Sequence, residues 1–284
     1  MPELPEVETI KRGLEPALCH VQFEHVTVQR AGLRYPFPED FALRLKGKTV
    51  RALTRRAKYL LVHLSCHNIL IIHLGMSGRF LIEKTCPDLS LSERRHDHVV
   101  FALSNGFYVS YRDPRRFGFM DLIPEETLND DPRFSRLGVE PLTNALTGDV
   151  LYELFRNKHM SLKAALLDQS LVAGLGNIYV CEALYRSGLH PLQEAGTLTR
   201  EKMDLLVQAI KSVLNDALTA GGSTLKDYAQ VDGSSGYFQH TFSVYGREGE
   251  PCQTPGCSGN IQRFVQNGRS TFFCSQCQLE QPQS

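Results

Sequence analysis

No apolar run in this 284-residue chain approaches the roughly 18 residues needed to cross a bilayer. The opening MPELPEVETIKRG is acidic early and lacks the apolar core of an export signal, so a cytoplasmic chain without a membrane span is expected. Neither charge is in excess. Lys plus Arg number 31 and Asp plus Glu number 31, so bulk charge does not announce a polyanionic partner. Internal repeats and low-complexity tracts are also missing, which excludes a solenoid or a disordered array. What remains is an ordinary globular composition, 42% hydrophobic and 22% charged, at a length that suits two domains.

Local features say more. From Arg30 to Lys58 nine basic residues face only Glu39 and Asp40. Such a run fits a phosphate-binding strip and a solvated face equally well. Residues 59–64, 69–74, 98–103, 107–111 and 117–123 are short, apolar or alternating and rich in β-branched and aromatic types, which predicts strands. Asn105-Gly106 between two of them is a hairpin turn. Val7, Ile10 and Leu14 recur at helical spacing behind Pro5, so a helix over 5–14 is expected to pack on a β-sandwich. The polar stretch 128–149 reads as a linker. Beyond it, 149–157, 162–168, 177–187 and 198–219 carry apolar residues at i, i+3 and i+4, the last stretch ending at Gly221-Gly222. The expected class is α+β, with a sandwich domain over 1–130, a linker over 131–150, a helical domain over 151–240 and a small tail domain over 241–284.

Four of the eight cysteines are scattered (Cys19, Cys66, Cys86, Cys181) and read as small buried thiols. The other four form two close pairs, Cys252-x4-Cys257 and Cys274-x2-Cys277, sixteen residues apart. That pattern suits a tetrahedral four-thiolate zinc site with no open position, hence one structural Zn²⁺. Two disulfides are the rival reading, disfavoured by a reducing compartment. The intervening IQRFVQNGRSTFF reads as a hairpin turning at Asn267-Gly268, too small to build its own core without the metal. Arg269 follows the turn, where a solvated tip arginine would also sit. Gly174 and Gly176 precede a helix that Asn177 is placed to cap, and glycines there can expose N–H groups to a phosphate. Many helical hairpins share that turn for structural reasons alone.

Taken together, these pieces closely resemble the formamidopyrimidine-DNA glycosylase family. The resemblance runs almost the whole chain: MPELPEVET at the start, then RRAKYLL (55–61), HLGMSGR (73–79), HDHV (96–99), YRDPRRFG (111–118), LLDQSLVAGLGNIY (166–179), VYGREGEPC (244–252) and NGRSTFFCSQCQ (267–278), in the family's order. One departure is the zinc tail, where the family pattern has C-x2-C and this chain has C-x4-C with Pro255-Gly256 in the loop.

The resemblance implies a β-sandwich, a helix–two-turn–helix module and a zinc finger, acting as a monomer on duplex DNA that carries oxidised bases or abasic sites. It implies a bifunctional enzyme whose nucleophile is the Pro2 α-amine, freed by removal of Met1. A free α-amine has a pKa of ~8, and the positive end of the first helix would lower it. Pro2, Glu3, Lys58 and Arg269 form the implied catalytic set, with Glu6 in proton handling or positioning of the amine. His96, Arg115, Arg116, Lys163 and Asn177 are implied DNA contacts. Met76, Arg115 and Phe117 resemble the wedge that fills the void left by a flipped base, although Met76 and Phe117 would otherwise read as core. Residues 223–240, rich in Gly and Ser, resemble the lid over that base. An endonuclease VIII-like enzyme for oxidised pyrimidines is the near alternative. Its typical opening is MPEGPE, whereas position 4 here is Leu. A non-catalytic zinc-stabilised DNA-binding protein is the other, against which Pro2, Glu3 and Lys58 speak.

Overall fold

A computed structural model describes residues 2–223, Val231 and residues 235–279. The chain divides into two compact units, Met1–Ser135 with Ala220–Gln239, and Arg136–Thr219 with His240–Ser284.

In the first unit helix α1 (Leu4–Leu18) is followed by strand β1 (Phe23–Val28), the short helix α2 (Phe41–Leu45), and strands β2 (Val50–Arg56), β3 (Tyr59–Leu64), β4 (Asn68–His73), β5 (Arg79–Glu83), β6 (Asp97–Leu103), β7 (Tyr108–Arg112) and β8 (Phe119–Pro124). They form two antiparallel four-stranded sheets, ordered β1-β6-β7-β5 and β2-β3-β4-β8. Apolar residues of both sheets (Phe23, Val99, Phe101 from one, Leu60, Val62, Ile72 from the other) meet in one core, and α1 adds Val7, Ile10, Leu14 and Leu18. That alternation of faces is what a sandwich requires. Strands β1, β2 and β5 escape sequence reading because charged residues interrupt them. In β2 (VRALTRR) Arg51, Arg55 and Arg56 look outward or lie half-buried while Val50 and Leu53 are buried. The α1 helix also runs a turn beyond the expected Leu14 and carries Pro16 inside it.

The second unit holds α3 (Gly148–Phe155), α4 (Leu162–Leu167), α5 (Asn177–Arg186), α6 (Arg200–Thr219) and the hairpin β9 (Ile261–Gln266) with β10 (Arg269–Cys274). Thr147 caps α3 and Ser161 caps α4 through their side chains. Asn177 does not cap α5. Gly176 holds the cap position and Asn177 is the first helical residue, so its side chain is free for another use. After α6, Gly221 and Gly222 both adopt positive φ and end the helix. The hairpin turns through Asn267 (φ 50°) and Gly268 (φ 72°), the backbone that an Asn-Gly turn favours.

Three sequence readings change. The stretch 131–150 is no free tether: Gly138 and Val139 donate to the carbonyls of Gln169 and Leu171, and Leu146 is fully buried. Ala220–Gln239 groups with the sandwich, whereas the zinc-finger tail shares a unit with the helices. Of the scattered thiols only Cys181 is buried, and Cys86 is exposed. The lid region 223–240 lies largely outside the described residues. Its described Val231 is buried against Gly13, and its carbonyl accepts from the Ile82 N–H at 3.3 Å.

The tail is tied to α5 by Glu182. This fully buried carboxylate accepts from the backbone N–H groups of Ser243, Val244 and Tyr245 at 2.9, 3.0 and 2.8 Å. Removing it strands three donors, Val244 buried and Ser243 and Tyr245 half-buried, at ~1–3 kcal/mol for each that stays unpaired. Glu182→Ala is therefore expected to lose at least about 3 kcal/mol of stability in urea unfolding, with Glu182→Gln losing less because one acceptor oxygen remains.

Candidate functional site

The chain enters α1 through Pro2 and Glu3, both buried. Glu3 and Glu6 make a capping box, in which the Glu3 N–H donates to Glu6 Oε2 at 2.9 Å. The other oxygen of Glu6 accepts from the backbone N–H and the hydroxyl of Ser223 at 2.9 and 3.1 Å. Glu6, only 2% exposed, thus joins the segment before α1 to Ser223, the first residue of the expected lid. A carboxylate so fully hydrogen-bonded is suited to positioning. Pro2 lies beside the positive end of α1, but two buried carboxylates share that end and oppose the field of the helix.

Lys58, 8% exposed, occupies the two-residue turn between β2 and β3. Its neighbour Ala57 has φ 51°, a left-handed backbone that costs a residue with a Cβ about 1 kcal/mol or more. Arg55 holds this turn: its guanidinium donates to the Ala57 carbonyl at 2.9 Å and to Glu8 of α1 at 3.1 Å. This brace is not legible in local sequence, because Glu8 and Arg55 lie 47 positions apart. His73, at the end of β4, stacks on Phe119 with centroids 5.4 Å apart and accepts from the Gly75 N–H at 3.1 Å. Burial, then the charges of Lys58 and Arg34, lower its pKa from 6.5 to about 4, so the ring is neutral at pH 7.

The expected wedge residues sit on two adjoining loops. Gly75 has φ 63°, and a Cβ there would meet the Phe117 carbonyl carbon at 2.2 Å, so the loops approach closely only because this residue is glycine. Asp113, fully buried, fastens them: it accepts from the Ser77 hydroxyl at 2.5 Å and the Gly118 N–H at 2.8 Å. Ser77 Oγ in turn accepts from the Arg115 N–H at 3.0 Å. Phe117 is 46% exposed, outside the core, with the Arg115 guanidinium 4.9 Å from its ring centroid. Met76 is half-buried, while Arg115 and Arg116 are exposed. His96, half-buried nearby, accepts from Arg95, and its pKa is lowered by burial and then by Arg95.

In the second unit two candidates converge on one atom. Lys163 Nζ and Asn177 Nδ2 donate to the Ser270 carbonyl at 2.9 and 2.8 Å, and Lys163 also donates to Thr271 Oγ1 at 2.7 Å. Lys163 is 1% exposed, and burial, reinforced by Arg269, lowers its pKa against an opposing contribution from Cys181. Its ammonium therefore has two donors committed to the hairpin next to the exposed Arg269. Asn177 Oδ1 is buried and has no hydrogen-bond partner among the described residues. Of the glycines before α5, Gly174 spends its N–H on Gln169 Oε1 at 2.9 Å, so it is not offered to a phosphate.

The four tail cysteines meet. Their sulfurs all lie within 4.8 Å of one another, with Cys252–Cys277 and Cys257–Cys274 at 3.7 Å. A zinc–sulfur bond of ~2.3 Å makes the edge of a sulfur tetrahedron about 3.8 Å. Backbone N–H groups of Thr254 and Gly259 each donate to a cysteine two residues earlier at 3.4 Å, as thiolates in metal knuckles require. The donor set fits one structural zinc, and the longer first knuckle closes without losing a ligand.

The neutral His73 has a thermodynamic consequence. Its folded pKa, about 4, lies below the ordinary 6.5, so on acidification the unfolded chain takes a proton that the native ring refuses. Stability falls as pH drops from 6.5 toward 4, by ~1.4 kcal/mol per unit and of order 3 kcal/mol in all. Urea unfolding at pH 7, 6, 5 and 4 is expected to show a shallower pH slope for His73→Gln than for the parent. Equal slopes would contradict the buried neutral ring.

The chain is similar to known proteins along nearly its whole length. Residues 1–120 match the formamidopyrimidine-DNA glycosylase N-terminal domain, 137–229 the H2TH domain of that family, and 249–279 the zinc finger found in FPG and IleRS. The formamidopyrimidine-DNA glycosylase of Methylorubrum populi is 56% identical over 297 residues, covering 98% of this chain and 100% of the relative. That of Methylocella silvestris is 54% identical over 291 residues, covering 98% and 100%. Among solved structures, the MutM (FPG) protein of Thermus thermophilus aligns with a TM-score of 0.85 at 38% identity, covering 99% of this chain and 100% of that one. The Lactococcus lactis Fpg complexed with DNA containing an abasic site aligns with a TM-score of 0.88 at 33% identity, covering 98% and 100%. The chain belongs to the formamidopyrimidine-DNA glycosylase family.

Proposed function

We propose that the chain excises oxidised purines (8-oxoguanine, formamidopyrimidines) from duplex DNA and then cleaves the strand at the abasic site. The observation that carries this reading is the burial of Pro2 and Glu3 beside Glu6 at the head of α1, in a chain of this family. The relatives point the same way: Lactococcus lactis Fpg structures hold DNA containing Fapy-dG or an abasic site. The chain works in the cytoplasm, on the nucleoid when bound. No described helix is long and apolar enough to cross a membrane.

Once Met1 is removed, Pro2 is a secondary amine. Its nitrogen attacks the sugar C1′, the bond to the base breaks, and the base leaves with a proton. The sugar ring opens with Glu3 as general acid/base, giving an iminium. Loss of a C2′ proton then expels the 3′ phosphate, and a second elimination expels the 5′ phosphate. Glu6 positions this segment through the Glu3 N–H. Lys58, Asn177 and Arg269 take phosphates flanking the lesion, as charge-assisted contacts do in DNA complexes. Lys163 serves by holding the strand that carries Arg269. His96 and Arg116 contact the duplex, and Met76, Arg115 and Phe117 fill the void.

Borohydride treatment of the enzyme with an 8-oxoguanine duplex is expected to trap an adduct on Pro2. An adduct mapped to a lysine would overturn the nucleophile, and faster cleavage of a thymine glycol duplex would favour the pyrimidine reading. The wedge predicts a separate result. Phe117→Ala should slow excision of paired 8-oxoguanine about tenfold, ~1.4 kcal/mol of an unstacking cost of a few kcal/mol. It should spare cleavage of a pre-formed abasic site and leave the melting temperature nearly unchanged. Equal loss on both substrates would remove Phe117 from the wedge.

A further inference from the structure

Helix α5 reaches the zinc cluster with one polar atom. The Tyr185 hydroxyl, in its last turn, lies 3.2 Å from Cys252 Sγ and 2.7 Å from Thr254 Oγ1. The donor order follows from chemistry. A metal-bound thiolate can only accept, so the tyrosine O–H donates to sulfur, and the threonine O–H donates to the tyrosine oxygen. The Thr254 backbone N–H also donates to Cys252 Sγ, at 3.4 Å. Thr254 belongs to the four-residue spacer that sets this chain apart from the C-x2-C pattern. That spacer turns back through Pro255 and Gly256 (φ 80°), and the Cys257 N–H closes it on the Thr254 carbonyl at 3.0 Å. The long knuckle therefore places both a backbone and a side-chain donor of one residue around the Cys252 and Tyr185 pair.

We propose that Tyr185 is an outer-shell residue of the zinc site, donating a hydrogen bond to the Cys252 thiolate that Thr254 orients, so that helix α5 helps retain the metal. The hydrogen bond spreads the negative charge of the metal-bound sulfur and fixes the direction of the ligand, so the sulfur is held where the metal needs it. The two-donor chain polarises the O–H nearest the sulfur. Helix α5 then holds the finger in three places: Asn177 on the hairpin strand, Glu182 on the segment before the first knuckle, and Tyr185 on a ligand. The inference rests on the zinc cluster alone and is independent of the lesion chemistry.

The test uses the zinc-loaded full chain and reads the metal. Tyr185→Phe keeps the ring and deletes the donor. Its zinc should pass to excess 4-(2-pyridylazo)resorcinol with an apparent affinity about tenfold weaker or more, as for other outer-shell partners. Thr254→Val should show a smaller change in the same direction, because the tyrosine-to-sulfur bond survives. In the cobalt(II)-substituted protein the thiolate-to-metal charge-transfer band of Tyr185→Phe should move to longer wavelength, since an unbonded thiolate is a better electron donor. Parental zinc retention with an unmoved band would overturn the proposal. Faster zinc loss with an unmoved band and a lowered melting temperature would also overturn it, by assigning Tyr185 to packing.

Discussion

Loops have no ladder to satisfy their backbone N–H groups, and in this protein buried carboxyl side chains do so instead. Glu6 collects the N–H of Glu3 and of Ser223. Asp113 collects that of Gly118 together with the Ser77 hydroxyl. Glu182 collects three in a row from residues 243–245. The cysteine sulfurs do the same for Thr254 and Gly259. A buried donor left unpaired costs ~1–3 kcal/mol, so each acceptor fixes its loop in one conformation. Those loops carry the Pro2–Glu3 segment, Met76 and Phe117, and the zinc hairpin.

The two units offer different kinds of side chain. The sandwich unit offers buried, water-poor groups: Pro2, Glu3, Glu6, Lys58 and a histidine kept neutral by burial and nearby cations. Such surroundings suit proton transfer and covalent attack, where desolvation strengthens each electrostatic contact. The helical unit offers an exposed arginine on a metal-braced hairpin, with its strand pinned by Lys163 and Asn177 at Ser270. An exposed arginine on a rigid support has the reach and rigidity that the proposed phosphate contact asks for.

Brace residues leave little trace in local sequence. Glu182 looks like any helix residue of alternating polarity, and Lys163 like any basic residue near DNA. Their roles depend on partners 61 and 107 positions away along the chain. Asn177 has the residue type of a cap and the neighbours of one, yet Gly176 takes that position and leaves the amide to reach Ser270. Strands β1, β2 and β5 hide because their outward residues are charged, and a two-residue period is weak when only half of it is apolar.

Local order in the chain determined what depends on near neighbours. The paired cysteines, the Asn-Gly turns, the helical spacing of α1 and α6 and the run of family segments were all legible, because turn geometry, ligand spacing and helix faces are set within a few residues. Only the tertiary structure decided which donors meet which acceptors. It brought Glu6 to Ser223, Asp113 to Ser77, Arg55 to Glu8 and Tyr185 to Cys252, across 217, 36, 47 and 67 positions. Hydrogen bonds act over about 3 Å of space whatever the separation in sequence, so their partners are known only once the core has folded.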